Sequence, residues 1–287
     1  MSVIPCDNDD KERRKKVDEY VEHLKLHAHE IGGHELSDQE FYDSGFFRAA
    51  MERIRGQNSA KMREKREFVQ HVLNYLQDRS FIEDWSPAGS QNRYDYDVTF
   101  SDGRNAAIEL KGCMDGNNTT IFERPNHAQE FLVWSVCANK LSNMARNAWS
   151  GLHTRLSAQI IENNIKVDGV IIWDWICGSR ERPCPKLRDP NFGNRIQIGP
   201  YNLPPPCIYI LPATVPSARN NPKPNTPQLS ELRLLNAFHE CFGGSKDHIN
   251  YVNYEIRQQG QEKARKTSVT RGGEIKKTSR FTPIRRK

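Results

Sequence analysis

Two short segments that carry acidic and basic side chains lie on either side of a predicted turn. Asp95 and Asp97 occur in the alternating run RYDYDVTF, and Glu109 and Lys111 occur in AAIELKG. Residues two apart along a β-strand project from the same side, so we expect Glu109 and Lys111 to share a face while Leu110 enters the core. The SDGRN segment between the runs contains an Asp-Gly pair typical of hairpins. The sequence therefore predicts an antiparallel hairpin in which both aspartates share a side and one lies beside Glu109.

Carboxylates held this close together favour a bound cation. Two carboxylates a few Å apart repel each other and destabilise the folded state unless positive charge lies between them. Hard oxygen ligands suit Mg²⁺, which polarises a phosphoryl oxygen and lowers the pKa of a bound water. Lys111 would either hold the attacking water or stabilise charge on the pentavalent phosphate, and the sequence leaves both roles open. The pattern predicts metal-assisted hydrolysis of a phosphodiester.

This arrangement resembles the signature of the PD-(D/E)XK nucleases, the family that includes many type II restriction endonucleases. YDYDVTF is followed by IELK after an eleven-residue spacer from Asp97 to Glu109, and the resemblance covers roughly residues 60–176. It implies that Asp97 and Glu109 bind Mg²⁺ and that Lys111 is the catalytic lysine. Both carboxylates and the lysine are therefore candidate catalytic residues.

The motif departs from the family pattern at one position and leaves its ligand set open. Tyr96 stands where the family has a proline before the aspartate. Asp95 is an alternative metal ligand, although Asp97 is favoured because it begins the apolar VTF stretch. Members of the family sometimes add a glutamate from the preceding helix, for which Glu67 and Glu64 are candidates.

The elements around the hairpin agree with the core of this family. A helix is predicted over residues 59–78, where apolar residues recur at helical spacing, and SFIEDW is a short strand candidate. Residues 127–163 look helical, and residues 168–176 form an apolar run typical of a buried strand. We expect an α/β fold with a restriction-endonuclease-like core: helix, three antiparallel strands, helix and further strand in a mixed sheet.

Additions are expected on both sides of this core. Residues 1–58 are predicted as a helical N-terminal addition, with one helix near residues 9–30. The nuclease domain is assigned to residues 59–256 and contains a proline-rich loop region at 178–228. Residues 257–287 are predicted to be a basic, flexible tail.

Several local patterns outside the hairpin predict further structure. Ser37 and Glu40 have the spacing of a capping box, in which each side chain bonds the other residue's backbone amide. IYIL at 208–211 and INYVNYEI at 249–256 are strand candidates, and residues 228–241 a helix candidate.

Composition and charge narrow the class of protein. The chain has 287 residues, 27% of them charged, and a net charge of +6; eleven of its lysines and arginines lie in residues 257–287. No apolar run approaches the ~18 residues of a membrane span, and no secretory signal is recognised, so we expect a cytoplasmic protein without a membrane partner. The seven cysteines form no CxxC pair, which favours buried free thiols over zinc ligands.

The expected partner is double-stranded DNA, and a homodimer is implied by the restriction-enzyme resemblance. No phosphate-binding GxxxxGK[ST] loop occurs, so no nucleotide cofactor is predicted. Two alternatives stay open: a structure-selective repair or junction nuclease of the same fold, and a non-catalytic DNA-binding protein. Polar side chains after the ExK strand and on the following helices are candidate DNA contacts: Asn117, Asn118, Thr119, Thr120, Arg124, Arg146 and Arg155.

Overall fold

The structure is a computed structural model whose described residues are 37–43, 62–89, 91–112, 114, 121, 123–138, 144–188 and 194–284. The helix predicted near residues 9–30 lies outside them. The described helices are α1 (Asp38–Asp43), α2 (Met62–Asp78), α3 (Met144–Ser150), α4 (Ser157–Glu162) and α5 (Arg233–Phe242). A π-helical segment, Gly151–Leu156, joins α3 to α4.

The strands form a mixed sheet, which confirms the α/β class. They are β1 (Asp84–Pro87), β2 (Tyr96–Thr99), β3 (Asn105–Lys111), β4 (Glu130–Ser135), β5 (Gly169–Ile172), β6 (Ile196–Ile198), β7 (Tyr201–Leu203), β8 (Cys207–Ile210), β9 (Asn250–Gln259), β10 (Glu262–Arg271), β11 (Glu274–Thr278) and β12 (Thr282–Pro283). Their order in the large sheet is β1-β2-β3-β4-β5-β8-β9-β10-β11, with β12 beside β10 and with β6 and β7 paired separately. Strands β1 to β3 are antiparallel, whereas β3, β4 and β5 are parallel.

Helix α2 forms where the sequence predicts it, because its apolar residues fall on one stripe. Phe68, Val69, Val72, Leu73 and Leu76 are all fully buried, at the i, i+1, i+4, i+5, i+8 spacing of a single helical face. The Phe68 ring packs edge-on against Trp134 of β4 and against Trp173, the residue after β5. The stripe therefore fixes α2 against the centre of the sheet.

Two hydrophobic clusters define two faces of the sheet. On the first face, Tyr96, Ile108 and Leu110 pack with residues of α2 and α5. On the second face, Ala107 and Val133 pack with residues of the α3–α4 region. Side chains alternate along a strand, so Glu109 and Lys111 belong to the second face. Leu110 enters the core, as predicted.

The β2–β3 hairpin is confirmed, and its turn explains the Asp-Gly pair. The amide of Phe100 donates to the carbonyl of Arg104 (3.0 Å), and that of Gly103 donates back to Phe100 (2.9 Å). Gly103 has φ +78°, a left-handed conformation that glycine adopts without a steric penalty. Asp102 accepts from the amide of Arg104 at 3.1 Å, which stabilises the turn from within.

The helical prediction for residues 127–163 is wrong in its first part. Residues 130–135 form β4, a fully buried strand between β3 and β5, and described helix begins only at Met144. A strand buried on both faces has a continuous apolar sequence, and EFLVWS therefore lacks the alternation that distinguishes strands from helices. The chain therefore forms a parallel strand, β4, between the ExK strand β3 and the helices, and the sequence did not predict this strand.

The prediction of a flexible basic tail at 257–287 is also wrong as far as residue 284. This segment contains the end of β9 and all of β10, β11 and β12. Arg265 on β10 is buried and donates to the carbonyls of His153 and Thr154, so part of the basic charge is structural. The proline-rich region 178–228 contains β6 and β7 in addition to the strand predicted at 208–211.

The remaining local predictions are largely confirmed. The capping box forms, with the Ser37 amide donating to the Glu40 carboxylate at 3.1 Å and the Glu40 amide to the Ser37 hydroxyl at 3.4 Å. Strands β5, β8 and β9 and helix α5 lie where expected, whereas the strand predicted in SFIEDW begins only at Asp84.

Among the described cysteines, one departs from the prediction of free thiols. Cys177, Cys184, Cys207 and Cys241 are free thiols, but Cys137 is disulfide-bonded. Among the described residues, no helix is long and apolar enough to span a membrane.

Candidate functional site

Glu109 and Lys111 meet at the C-terminal end of β3. The Lys111 Nζ contacts the Glu109 Oε1, and the two side chains are 22% and 2% exposed. Lys111 pairs with Ser135 of the parallel strand β4, and the Ser135 hydroxyl donates to the Gly112 carbonyl at 2.8 Å. The predicted common face is confirmed, and a buried carboxylate shares it with an accessible ammonium.

Asp97 lies on the same face, on the neighbouring strand. It pairs with Ala107, so Glu109, two residues further along β3, is its diagonal neighbour. Diagonal residues in an antiparallel pair have Cα atoms about 7–8 Å apart. An aspartate and a glutamate can span that separation when each places an oxygen about 2.1 Å from a shared Mg²⁺.

Two side chains bind the Asp97 carboxylate. The Tyr94 hydroxyl donates to Oδ2 at 3.0 Å, and the His127 Nε2 lies 2.7 Å from Oδ1. Burial, reinforced by the hydrogen bond to Asp97, raises the pKa of Tyr94 to about 12, so its hydroxyl stays protonated and able to donate. The sequence singled out neither residue, because His127 is brought to the hairpin only by the fold, from the segment before β4.

Asp95, the alternative metal ligand, lies just before β2 and bonds the backbone of β3 through both its amide and its carboxylate. Its amide donates to the Ile108 carbonyl at 2.9 Å, although Ile108 is already the partner of Tyr96. Two residues facing one is the arrangement of a β-bulge, which interrupts the alternation of faces. The Asp95 carboxylate accepts from the Leu110 amide at 2.7 Å. The alternation that placed both aspartates on one side does not apply here, and the register favours Asp97.

The structure does not bring the helix glutamates to the hairpin. Glu64 and Glu67 are exposed on α2, which packs on the first face of the sheet, opposite Glu109. Burial raises the pKa of Tyr201, and the charges of Glu67 and Glu64 raise it further. These carboxylates therefore lie near Tyr201 of β7, and the proposed role of Glu67 as a ligand loses its geometric basis.

A second lysine, absent from the sequence prediction, reaches the same strand end. Lys65 of α2 is only 8% exposed, and a Cβ placed on Gly112 would lie 3.2 Å from its Nζ. Burial lowers the pKa of Lys65. A signal was present, because Lys65 precedes Phe68 and Val69 by three and four residues and so lies on the apolar stripe of the helix.

Only two of the candidate DNA contacts, Arg124 and Arg155, have side chains within the described residues. Asn117, Asn118, Thr119 and Thr120 lie outside the described residues, as does the side chain of Arg146 on α3. The Arg124 Nη1 donates to the Gln129 carbonyl at 3.0 Å and lies 3.6 Å from an Asp168 oxygen, which ties it to the protein. Arg155 lies half-buried in the π-helical segment.

The two carboxylates suit Mg²⁺ better than they suit a metal ion that needs four protein ligands. No group of three or more His, Cys, Asp or Glu residues suited to a metal ion occurs in the part of the chain that the structure describes. Mg²⁺ is usually held by one or two carboxylates, with water and substrate phosphate completing its octahedron. Asp97 and Glu109 meet that smaller requirement, whereas a structural zinc site would need four protein ligands.

Comparisons with known protein families, with curated proteins and with solved structures gave no match. The feature that indicates a function is therefore the chemistry of Asp97, Glu109 and Lys111 on one face of a mixed α/β sheet.

Proposed function

We propose that this protein is a Mg²⁺-dependent endonuclease of the PD-(D/E)XK type that hydrolyses phosphodiester bonds in double-stranded DNA, as a type II restriction enzyme does. The observation that carries the proposal is the pairing of buried Glu109 with Lys111 at the end of β3, on the face that also carries Asp97. A buried carboxylate beside an ammonium and near a second carboxylate is suited to an ion and a phosphate.

The order of elements supports a restriction-endonuclease-like core. Helix α2, the antiparallel strands β1 to β3, the α3–α4 region and β5 follow one another in the expected sequence. Strand β4 is an addition to the predicted pattern, inserted in parallel between β3 and β5. The insertion leaves the motif strands β2 and β3 adjacent, so it does not disturb the proposed site.

In this proposal each side chain has a separate role. Asp97 and Glu109 would hold Mg²⁺, which when bound supplies Lewis-acid activation of the phosphate and a more acidic water. Lys111, fixed by its contact with Glu109, directs an ammonium toward the phosphate and stabilises the negative charge that develops there. The buried position of Glu109 limits its solvation and so strengthens its interaction with any nearby cation.

Cleavage of plasmid DNA with and without Mg²⁺ tests the proposal, with Lys111→Ala beside the wild type. We expect discrete bands only with Mg²⁺, and a rate reduced about 10²- to 10³-fold in the variant, since one electrostatic group at a reacting centre contributes on that order. Lys223→Ala, which removes an exposed lysine outside the hairpin, should cut like the wild type.

Three outcomes would count against the proposal. Equal cutting by Lys111→Ala would remove the mechanism. Cleavage restricted to branched or damaged DNA would identify a structure-selective nuclease of the same fold. A gel shift without cutting would identify a non-catalytic DNA-binding protein. If discrete bands appear, a homodimer is expected, because a two-fold symmetric DNA site is matched by a two-fold symmetric protein.

A further inference from the structure

Lys65 differs from the other buried cations in having no partner within the described residues. Arg182 pairs with Asp174, and Lys186, as buried as Lys65, donates to the Pro205 and Pro206 carbonyls. Lys65 forms no hydrogen bond or ion pair with any described residue, although it is more than nine-tenths buried. An ammonium in this position, with no partner among the described residues, gains from pairing with an anion because removing charge from water is costly.

The position of this ammonium suggests which anion would join it. The Nζ lies against Gly112, the residue that follows Lys111 at the C-terminal end of β3. Strands β3, β4 and β5 are parallel and end at the same edge of the sheet. Ligands of parallel sheets bind outside the carboxyl ends of the strands, so Lys65 faces the edge where a substrate is expected.

Gly112 leaves room for this approach. The Cβ of any side chain at position 112 would lie 3.2 Å from the Lys65 Nζ, so a larger residue would crowd the ammonium. Lys65 approaches from the first face, whereas Lys111 belongs to the second, so the two cations reach the strand end from opposite sides. Burial also lowers the pKa of Lys65, which is the direction expected of an ammonium that has lost water and gained no anion.

We propose that Lys65 is the anion-binding group of a phosphate subsite at the C-terminal end of β3, and that it contacts a DNA backbone phosphate near the one that is cleaved. The inference rests on the proposed function, since DNA is the polyanion proposed there. Lys65 would position the strand, while Lys111 acts at the reacting phosphate. The ammonium, which has no partner among the described residues, becomes paired with a phosphate on binding.

The test is DNA binding by Lys65→Met, measured by fluorescence anisotropy without divalent metal so that no cleavage occurs. Methionine keeps the unbranched, apolar part of the side chain and removes the charge. We expect the affinity to fall about tenfold, as for loss of one charged hydrogen bond, and the slope of log K against log salt to become shallower by about 0.9. The melting temperature should stay the same or rise, because a buried charge has been removed.

Arg63→Met is the matched control, since Arg63 is exposed on the same helix and its loss should leave the binding affinity nearly unchanged. If Lys65→Met does not fold, Lys65→Gln serves in its place. An unchanged affinity and salt slope, with a lower melting temperature, would assign Lys65 a structural role and overturn the inference. Inorganic phosphate that stabilises the wild type but not the variant, with unchanged DNA binding, would assign the subsite to a free anion and overturn the DNA contact.

Failure of this inference is distinguishable from failure of the proposed function. Cleavage of plasmid DNA reports the hydrolytic site, whereas the salt slope reports Lys65 without any reaction. A wild type that cuts DNA, with a Lys65→Met variant that binds as tightly, would refute only the subsite.

Discussion

The contacts of Asp97 determine how its carboxylate is presented. Tyr94 and His127 each bind one oxygen, yet a carboxylate offers about four acceptor positions. A metal ion can therefore add to Asp97 without displacing either partner. Hydrogen-bonding partners of metal ligands fix the orientation of those ligands and contribute to metal affinity.

Tyr94→Phe and His127→Gln should each weaken metal binding about tenfold, because Asp97 loses an orienting contact. Calorimetric titration with Mn²⁺ in the absence of DNA measures this directly. Tyr251→Phe, which changes a half-buried tyrosine at the start of β9, is the matched control and should bind Mn²⁺ normally. Unchanged Mn²⁺ affinity in both hairpin variants would show that Asp97 is not a ligand.

At the scale of single residues, alternation predicted the common face of Glu109 and Lys111 because regular strands obey it. It could not predict the bulge at Asp95, where the amide of that residue adds a second contact to Ile108. The helical spacing of α2 could have identified Lys65, which lies on its apolar stripe, but a lysine near the start of a charged helix resembles a solvated one. Its Nζ lies beside Gly112, which is distant in the chain, and local sequence does not show that proximity.

Among the secondary-structure elements, β4 and α5 are joined by one buried carboxylate. Glu130 begins β4 and accepts from the amides of Leu234 and Leu235 at 2.8 and 3.1 Å, at the start of α5. Burial raises the pKa of Glu130 to about 7, although these hydrogen bonds oppose the rise. The carboxyl thus takes up a proton more readily in the folded protein than in the unfolded chain.

This shift predicts a pH dependence of stability. Since the pKa is raised from 4.5 to about 7, the contribution of Glu130 to the free energy of unfolding is complete below pH 4.5 and is lost as the pH rises through about 7. Urea unfolding across that range should show the wild type losing stability relative to Glu130→Gln. Glu240→Gln, at an exposed position on α5, should follow the wild-type curve, and parallel curves for all three proteins would contradict the assignment.

Elements whose apolar residues recur at a regular helical or strand spacing could be predicted from the sequence, and elements without such a spacing could not. Helix α2 and the hairpin follow their periods closely. The run EFLVWS gave no period, and only its neighbours β3 and β5, which cover both edges, decide that it is a strand. The ends of β1 are set by its pairing with β2, which local sequence does not specify.

Over the whole molecule, the basic C-terminal segment completes the sheet rather than extending from it. Strand β10 pairs with β9 along nine residues, and its buried Arg265 anchors it to the π-helical segment. The sequence suggested disorder because lysines and arginines dominate this region. The buried positions of β10 are few, and an arginine and a threonine occupy two of them, so the strand has no apolar pattern that would reveal it. Composition could not show that these polar groups find partners inside the fold.

Removing residues 257–287 should therefore abolish cooperative thermal unfolding or lower the melting temperature strongly, because β9 loses its long pairing with β10 and keeps only the short one with β8. Circular dichroism melts measure the effect. Lys263→Gln, which removes an exposed charge from β10 but keeps the strand, separates lost charge from lost structure and should melt like the full chain. A truncated protein with an unchanged melting temperature would show that the segment is not needed for the stability of the fold.

The pairing of β9 with β10 also bears on synthesis. Val252 and Tyr254 become part of the second-face core on a strand whose backbone partners are residues 262–270. A ribosome that stalls before that point releases a chain with an unpaired strand edge, which invites aggregation or proteolysis. The core of the second face is therefore completed only after residues 262–270 have been synthesised and have paired with β9.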